Sequence, residues 1–352
     1  MRKTKHYFIL PLVILVCILF SSCKTQQKEK FSTYSFDLFD TATTITGYAE
    51  SKDQFDQISE EVLALLREYH RLFTIYNRYE GLTNLCSIND LHDGVHKQVE
   101  VDSKIIDMLL FAKDMYKLSD GKVNIAMGSV LSIWHEYREE GLDEPWNARL
   151  PSYEALSEAS RHTDIDALII DKDTSTAFIS DPDVTLDVGA IAKGYAVEMA
   201  ARYLEEKGIS GYVINVGGNV RTIGTKPDGE KWLCGIENPD TDSENAYIKY
   251  IEISDKAIVT SGSYQRYYVV DGKNYHHIID SETLMPAEGF VSVSVICDDS
   301  GLGDALSTAL FCMSFEEGLS LVESLSDVEA MWVISENNIK TSSGFSSFVT
   351  ER

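Results

Sequence analysis

Asp187-Val-Gly-Ala-Ile-Ala-Lys-Gly-Tyr195 follows an apolar, β-branched run and opens an alanine-rich helical pattern. It reads as strand, tight turn and helix start. Gly189 frees the backbone at the turn, and Ala190 and Ala192 keep it narrow, so a phosphate can approach the N–H groups of a new helix. Lys193 adds a positive charge beside that position, and Asp187 offers a carboxylate to a cation or a ribose hydroxyl. The stretch matches neither the Walker pattern nor the Gly-x-Gly-x-x-Gly fingerprint. Taken alone it also reads as an ordinary turn and helix cap.

Outward from this stretch, the helix runs over 192–207 and Gly208 ends it. A strand, a Gly217-Gly218-Asn219 turn and a second strand follow over 211–224, and strands and turns alternate over 232–290. Residues 303–313 and 315–325 read as helices and 331–340 as a strand. On the N-terminal side, 167–179 reads as two strands joined at Asp171-Lys-Asp. Residues 152–160 form a short helix, 142–150 a loop or partner lid, and 122–134 lead from a short strand into a helix. Helical spacing over 51–73 and 103–118 gives two amphipathic helices, the second stopped at Ser119-Asp-Gly121. Residues 31–48 alternate apolar and polar side chains and are rich in Thr, as a hairpin requires. Strands and helices are interspersed without a regular βαβ repeat. The class is therefore α+β, with a sizeable mixed, largely antiparallel sheet and flanking helices.

The chain has 352 residues, 44% of them hydrophobic, enough for one large core or two modest ones. Arg2, Lys3 and Lys5 precede an apolar run over 7–20 and then Ser21-Ser22-Cys23. That is a secretory signal whose core is shorter than the roughly 20 residues of a membrane span. The small pair before Cys23 resembles a lipobox, with Phe20 where Leu is commoner. The reading is cleavage before Cys23, acylation of its thiol, a membrane tether over 23–34 and one domain over 35–352. An ordinary signal peptide or an N-terminal anchor helix would show the same apolar core. Removing residues 1–22 makes the formal net charge of −25 three units more negative. An acidic surface of this kind excludes nucleic acid as a partner, and an anionic ligand needs a local positive site or a metal. Beyond Cys17 and Cys23 the cysteines are Cys86, Cys234, Cys297 and Cys312, without Cys-x-x-Cys spacing. This disfavours a thiol metal centre and leaves one or two disulfides open.

Four further stretches carry chemistry. Tyr212-Val-Ile-Asn-Val-Gly-Gly-Asn219 ends a strand on two glycines, where another group can come close, though a plain hairpin turn explains it equally. Thr260-Ser-Gly-Ser-Tyr264 with Arg266 offers hydroxyls, a flexible turn and a guanidinium to an anion, or forms a polar hairpin loop. Tyr275-His-His-Ile-Ile-Asp280 sets imidazoles beside a carboxylate. In Asp304-Ala-Leu-Ser-Thr308 the carboxylate and hydroxyl are four apart on one helix face and can grip a hard cation such as Mg²⁺, while a helix N-cap at Asp304 is the plainer reading.

In this order the five stretches resemble the ApbE family of FAD:protein FMN transferases, over roughly residues 35–345. Phe73-Thr-Ile-Tyr76 and the segment 121–134 add weaker matches. The resemblance implies a T-fold-like α+β architecture, FAD in a cleft and Mg²⁺ on its pyrophosphate. It implies that Asp187 and Lys193 contact FAD, and that the Ala190 carbonyl, Asp304 and Thr308 hold the metal. Tyr76 would lie against the flavin nucleotide and Ile278 would touch it through the backbone, with His277 as the base and His276 as its alternative. Phe39, Lys122, Val123 and Asn124 fall at flavin-contact positions. Two of these segments depart from the family pattern: Gly121-Lys122-Val123-Asn124 replaces Gly-Ala-Phe-Asp, and Phe39-Asp40-Thr41 replaces Met-Gly-Thr.

The reaction so implied is transfer of FMN from FAD to a Thr or Ser hydroxyl of a partner protein, with release of AMP. Acceptors would carry a Ser/Thr-Gly-Ala-Thr-like segment and be exported electron-transfer proteins, met outside the cytoplasm at the inner membrane. Water in place of the hydroxyl would make the protein an Mg²⁺-dependent FAD pyrophosphatase. A third reading is an FAD-binding lipoprotein without turnover.

Overall fold

The computed structural model describes residues 28–90, 98–240, 242–335 and 338–351. Cys23, expected to be acylated, and the expected signal segment lie outside the described residues. In chain order the strands are β1 (Glu29–Leu38), β2 (Thr41–Ala49), β3 (Val99–Glu100), β4 (Leu168–Asp171), β5 (Thr176–Ile179), β6 (Tyr212–Val216), β7 (Asn219–Ile223) and β8 (Trp232–Glu237). They continue with β9 (Tyr247–Ile253), β10 (Ala257–Gly262), β11 (Tyr267–Val270), β12 (Lys273–His276), β13 (Ser292–Cys297), β14 (Glu329–Ser335), β15 (Asn338–Thr341) and β16 (Val349–Thr350). The helices are α1 (Lys52–Phe73), α2 (Leu85–Asn89), α3 (Ser103–Leu118), α4 (Gly128–Asp143), α5 (Tyr153–Ala159), α6 (Ala192–Glu206), α7 (Ser300–Phe311) and α8 (Phe315–Ser324).

The frame is an eight-stranded sheet in the order β1-β2-β6-β7-β10-β13-β14-β15. Every neighbouring pair in it is antiparallel. Among the described residues the one parallel pairing is an isolated bridge between Met127 and Thr185. The expected α+β class stands. Helices α1 and α6 pack on the β1-β2-β6-β7 half and α7 on β10 and β13. The largest core lies there, with Ile45, Leu66, Val197, Ala201 and Ile214 all buried. Alternation in β6 explains the placing: Tyr212, Ile214 and Val216 face the helices, and its other residues do not.

Two local expectations fail. Residues 122–127 are turns rather than a strand, and 184–187 is extended without joining the sheet. The two segments are instead stitched to each other: Asp187 N–H donates to the Ile125 carbonyl at 2.7 Å and Gly128 N–H to the Thr185 carbonyl at 2.9 Å. A Cβ on Gly128 would lie 2.4 Å from that carbonyl, so only glycine permits the approach. Of the stretch 23–34 expected as a tether, residues 29–34 lie in β1, whose Glu29 pairs with Ala49. Phe31 packs against Phe55 of α1, their ring centroids 5.6 Å apart, which draws the segment into the fold. Cys86, Cys234, Cys297 and Cys312 are unpaired. No helix among the described residues is long and apolar enough to cross a membrane.

Candidate active site

The hairpin β6–β7 turns through Gly217 and Gly218, with φ of 54° and 90°. Positive φ at both central residues is the type I′ turn that matches strand twist, and glycine tolerates it. The Asn215 carboxamide accepts the Gly218 N–H at 3.1 Å and fixes the turn. Beside it, the starts of α6 and α7 cross at Gly194. A Cβ there would stand 2.3 Å from the Ser300 carbonyl and 2.4 Å from Asp304 Cβ, so the helices meet at backbone distance.

This approach decides how the helix starts are satisfied. Ile191, the N-cap of α6, has no capping side chain. Asp304 Oδ2 takes its place from the neighbouring helix, accepting the Gly194 N–H at 2.8 Å. Ile191 and Ala192 donate to the Val188 carbonyl. The expected phosphate-binding array of free N–H groups is therefore largely consumed within the protein, and Asp304 occupies the anion position. Asp304 is not the N-cap of its own helix either; Asp299 is, accepting the Leu302 N–H at 2.9 Å.

Around these helix starts lies a cleft of about 640 Å³. It gathers Tyr76, Lys122, Val123, Asn124, Asp187, Ala190, Lys193, His277, Ile278, Asp304 and Thr308, drawn from segments far apart in sequence. Phe39 is the exception. Its N–H donates to His70 Nδ1 at 3.1 Å and its ring meets His70 edge-on, so it packs on the core while Asp40 and Thr41 line the cleft. The reason is the hairpin turn: Phe39 and Asp40 both take left-handed φ, near 50°, which swings the Phe39 ring to the α1 side.

Asp304 is 3% exposed, and burial pushes its carboxyl up while Lys193, 3.6 Å away, pulls it down. Asp187 is also pushed up by desolvation, against the Gly189 N–H that its Oδ1 accepts at 2.8 Å. Thr308 stands one turn beyond Asp304 on the same face. Carboxylate, hydroxyl and cleft-lining backbone at Ala190 are hard oxygen donors, and this set fits Mg²⁺, which takes few protein ligands and completes its shell with water or phosphate. A second cluster, His162, Asp181 and Asp183, brings three ligand atoms within 4.8 Å of one another. It lies outside the cleft, and His162 Nδ1 is engaged with Asp181 at 2.8 Å.

The two histidines separate cleanly. His276 Nε2 donates to the Ala287 carbonyl at 2.9 Å and Nδ1 accepts the Ile278 N–H at 3.2 Å, so both ring nitrogens are engaged. The Nδ1 of His277 is 3.2 Å from the Arg266 carbonyl, which can only accept. The proton therefore sits on Nδ1, and Nε2 keeps its lone pair. Desolvation first, and the Arg266 guanidinium next, hold the His277 pKa below the usual histidine value, so the ring is neutral. Asp280, expected beside the imidazoles, instead accepts the N–H groups of Glu282 and Thr283 and pairs with Lys122 at 3.3 Å.

Some expected contacts are already engaged inside the protein. Lys122 is also tied to Glu282 at 2.8 Å. Asn124 donates to the Thr163 carbonyl and accepts from Ala126, and Val123 is 1% exposed. Ile278 donates to His276 and its carbonyl accepts from Ala287, which leaves the second lone pair of that carbonyl for a ligand. Tyr76 is 59% exposed at the cleft mouth, 5.5 Å from the His135 ring, free to lie on a planar ligand.

Sequence reading missed His135 and Arg138 on α4 and Gly235 to Glu237 on β8, all of which line the cleft. Arg138, Lys193 and Arg266 give the cleft the local positive charge that the acidic surface lacks. Only the His-x-x-Arg spacing on α4, one helix face, hinted at the first pair.

The model of the ApbE family matches residues 39–332. A Klebsiella pneumoniae relative, FAD:protein FMN transferase, is 31% identical over 289 residues, covering 82% of this chain and 85% of its own length. One from Haemophilus influenzae with the same name is 27% identical over 271 residues, 76% of each chain. Among solved structures, the ApbE protein of Thermotoga maritima superposes with a TM-score of 0.79 at 29% identity, covering 92% of this chain and all of that one. The Vibrio cholerae flavin transferase ApbE gives a TM-score of 0.74 at 26% identity, over 91% of this chain and 99% of its own. With the family pattern spanning the sheet, both capped helices and the cleft between them, this chain belongs to the ApbE family of flavin transferases.

Proposed function

We propose that this protein moves FMN from FAD to a Thr or Ser hydroxyl of a partner protein, forming a phosphoester bond and releasing AMP. The observation that carries the reading is the meeting, in one cleft, of an imidazole whose Nδ1 faces a carbonyl and whose Nε2 is open with a hard-oxygen pair at Asp304 and Thr308. The acceptor hydroxyl attacks the phosphorus nearest the flavin. The new O–P bond forms as the pyrophosphate bridge breaks, the hydroxyl proton passes to His277 Nε2, and the bridging oxygen leaves with AMP. Bound at Asp304, Thr308 and the Ala190 carbonyl, Mg²⁺ would neutralise charge developing on the phosphates. Lys193 adds a fixed cation beside the leaving group, Asp187 faces the substrate, and Tyr76 lies on its ring system. Arg138 and Arg266 hold the phosphate end in an otherwise acidic protein.

The N-terminal sequence supports export and acylation at Cys23, which would hold the domain at the outer face of the inner membrane. Exported electron-transfer proteins bearing a Ser/Thr-Gly-Ala-Thr-like segment would meet it there. The test is mass spectrometry of an acceptor fragment with such a segment after incubation with the protein, FAD and Mg²⁺. An added FMN mass that EDTA abolishes supports the transferase. FMN and AMP in solution with an unmodified acceptor would replace it with a pyrophosphatase.

A further inference from the structure

Asn219 is a buried strand carboxamide whose oxygen the fold itself does not satisfy. It opens β7 directly after the two glycines, its backbone paired with Val216 on one side and Val259 on the other. Asparagine is disfavoured in such a central strand, where β-branched and aromatic residues pack best. Its side chain is 2% exposed and its Oδ1 has no hydrogen-bond partner. A buried carbonyl oxygen left unpaired is rare and costly. The residue lines the cleft, and its carboxamide lies alongside the Asp304 carboxylate. That neighbour settles the orientation. An amide oxygen turned toward a carboxylate would be repelled, so the NH₂ faces Asp304, and Oδ1, at the other end of the same amide edge, is the atom left without a partner.

We propose that Asn219 Oδ1 is a further oxygen ligand of the divalent cation held by Asp304 and Thr308. The assignment gives the orphan oxygen a partner and adds a neutral, hard donor to a set otherwise made of one carboxylate, one hydroxyl and backbone. Its NH₂ meanwhile steadies Asp304, so one side chain serves both the cation and the ligand beside it. The inference rests on the reading of the cleft as a cation site.

Mn²⁺ serves as the probe, titrated into the full-length protein and followed by electron paramagnetic resonance, with and without FAD. Asn219→Leu should weaken Mn²⁺ binding at least tenfold. Asn219→Asp should melt below the wild type without cation, since two carboxylates then face each other, and should show a larger upward Tm shift than the wild type when Mn²⁺ is added. Folding of either variant is checked by circular dichroism, and Asn219→Asp, being isosteric, covers the case in which the leucine variant does not fold. Wild-type affinity in Asn219→Leu, or a wild-type Tm shift in Asn219→Asp, overturns the role of Asn219 alone. A wild-type protein that takes up no Mn²⁺ with or without FAD overturns the cation site itself, and this inference with it.

Discussion

Asp304, in the second turn of α7, accepts the backbone N–H of Gly194, in the first turn of α6, at 2.8 Å. The arrangement is reciprocal, because Glu198 of α6 accepts the N–H of Ser300, the first residue of α7, at 2.9 Å. Each helix supplies the carboxylate that the other's positive end requires. Asp304 thus has two duties on two oxygens: Oδ2 holds a helix start, and Oδ1, the atom nearer Lys193, is left for the cleft.

The two duties separate by substitution. Asp304→Asn keeps an acceptor for Gly194 and should leave unfolding free energy within about 1 kcal/mol of the wild type, while lowering flavin transfer at least ~100-fold through loss of the charge proposed to hold the metal. Asp304→Ala should lose transfer and also about 1–2 kcal/mol of stability with the cap. Denaturant titration beside a flavinylation assay reads both; equal stability losses in the two variants would refute the division.

Gly194→Ala forces a methyl group into 2.3 Å and 2.4 Å contacts that backbone and Asp304 Cβ cannot relieve. The helices must part, at about 1–3 kcal/mol. Because Asp304 and Thr308, the proposed metal ligands, move with α7, the apparent affinity for Mg²⁺ should fall as well, which isothermal titration would show.

Glu198 is 3% exposed and pairs with Arg221, 4% exposed, at 3.1 Å. Glu198→Ala leaves that buried guanidinium with only Glu205 and the Thr222 carbonyl and frees the Ser300 N–H. The expected loss is about 3–5 kcal/mol, read by urea unfolding. Glu198 lies outside the cleft lining, so protein that remains folded should bind FAD with little change.

His277 carries a pH signature. Its pKa in the folded protein is below the ordinary histidine value, so Nε2 stays unprotonated as the pH falls through about 6.5. The rate of flavin transfer should therefore show no acid limb near that pH. The unfolded chain does take up a proton there, so this residue's effect on stability is a loss as pH falls below about 6.5, and none above it. His277→Asn should cut the rate by about 10²–10⁴ while leaving FAD binding intact; stopped-flow rates from pH 5 to 8 and an equilibrium FAD titration decide it.

Much of this was legible in the sequence, and the gaps have physical causes. The hairpin at Gly217-Gly218, the helix stop at Gly208 and the pairing of Asp304 with Thr308 on one face follow from local rules that glycine conformation and helical spacing impose. Which carboxylate would cap α6 does not, because that answer comes from a helix more than a hundred residues away. The same holds for His276 and His277. Adjacent in sequence, they differ only in whether the second ring nitrogen finds a carbonyl, and that depends on where Ala287 folds back. Phe39 falls outside the cleft lining for a related reason: the turn it occupies takes left-handed φ at a non-glycine residue, which alternation along a strand does not foretell.

The crossed caps also set an order of events. Gly194 and Asp304 are 110 positions apart, and Glu198 and Ser300 are 102 apart. The Gly194 and Ser300 N–H groups find their carboxylates only when the chain through α7 has emerged and docked, a late and high-contact-order step. A nascent or truncated chain lacking α7 therefore lacks the Asp304 and Thr308 wall of the cleft, and uptake of the nucleotide reports that α7 has docked on α6.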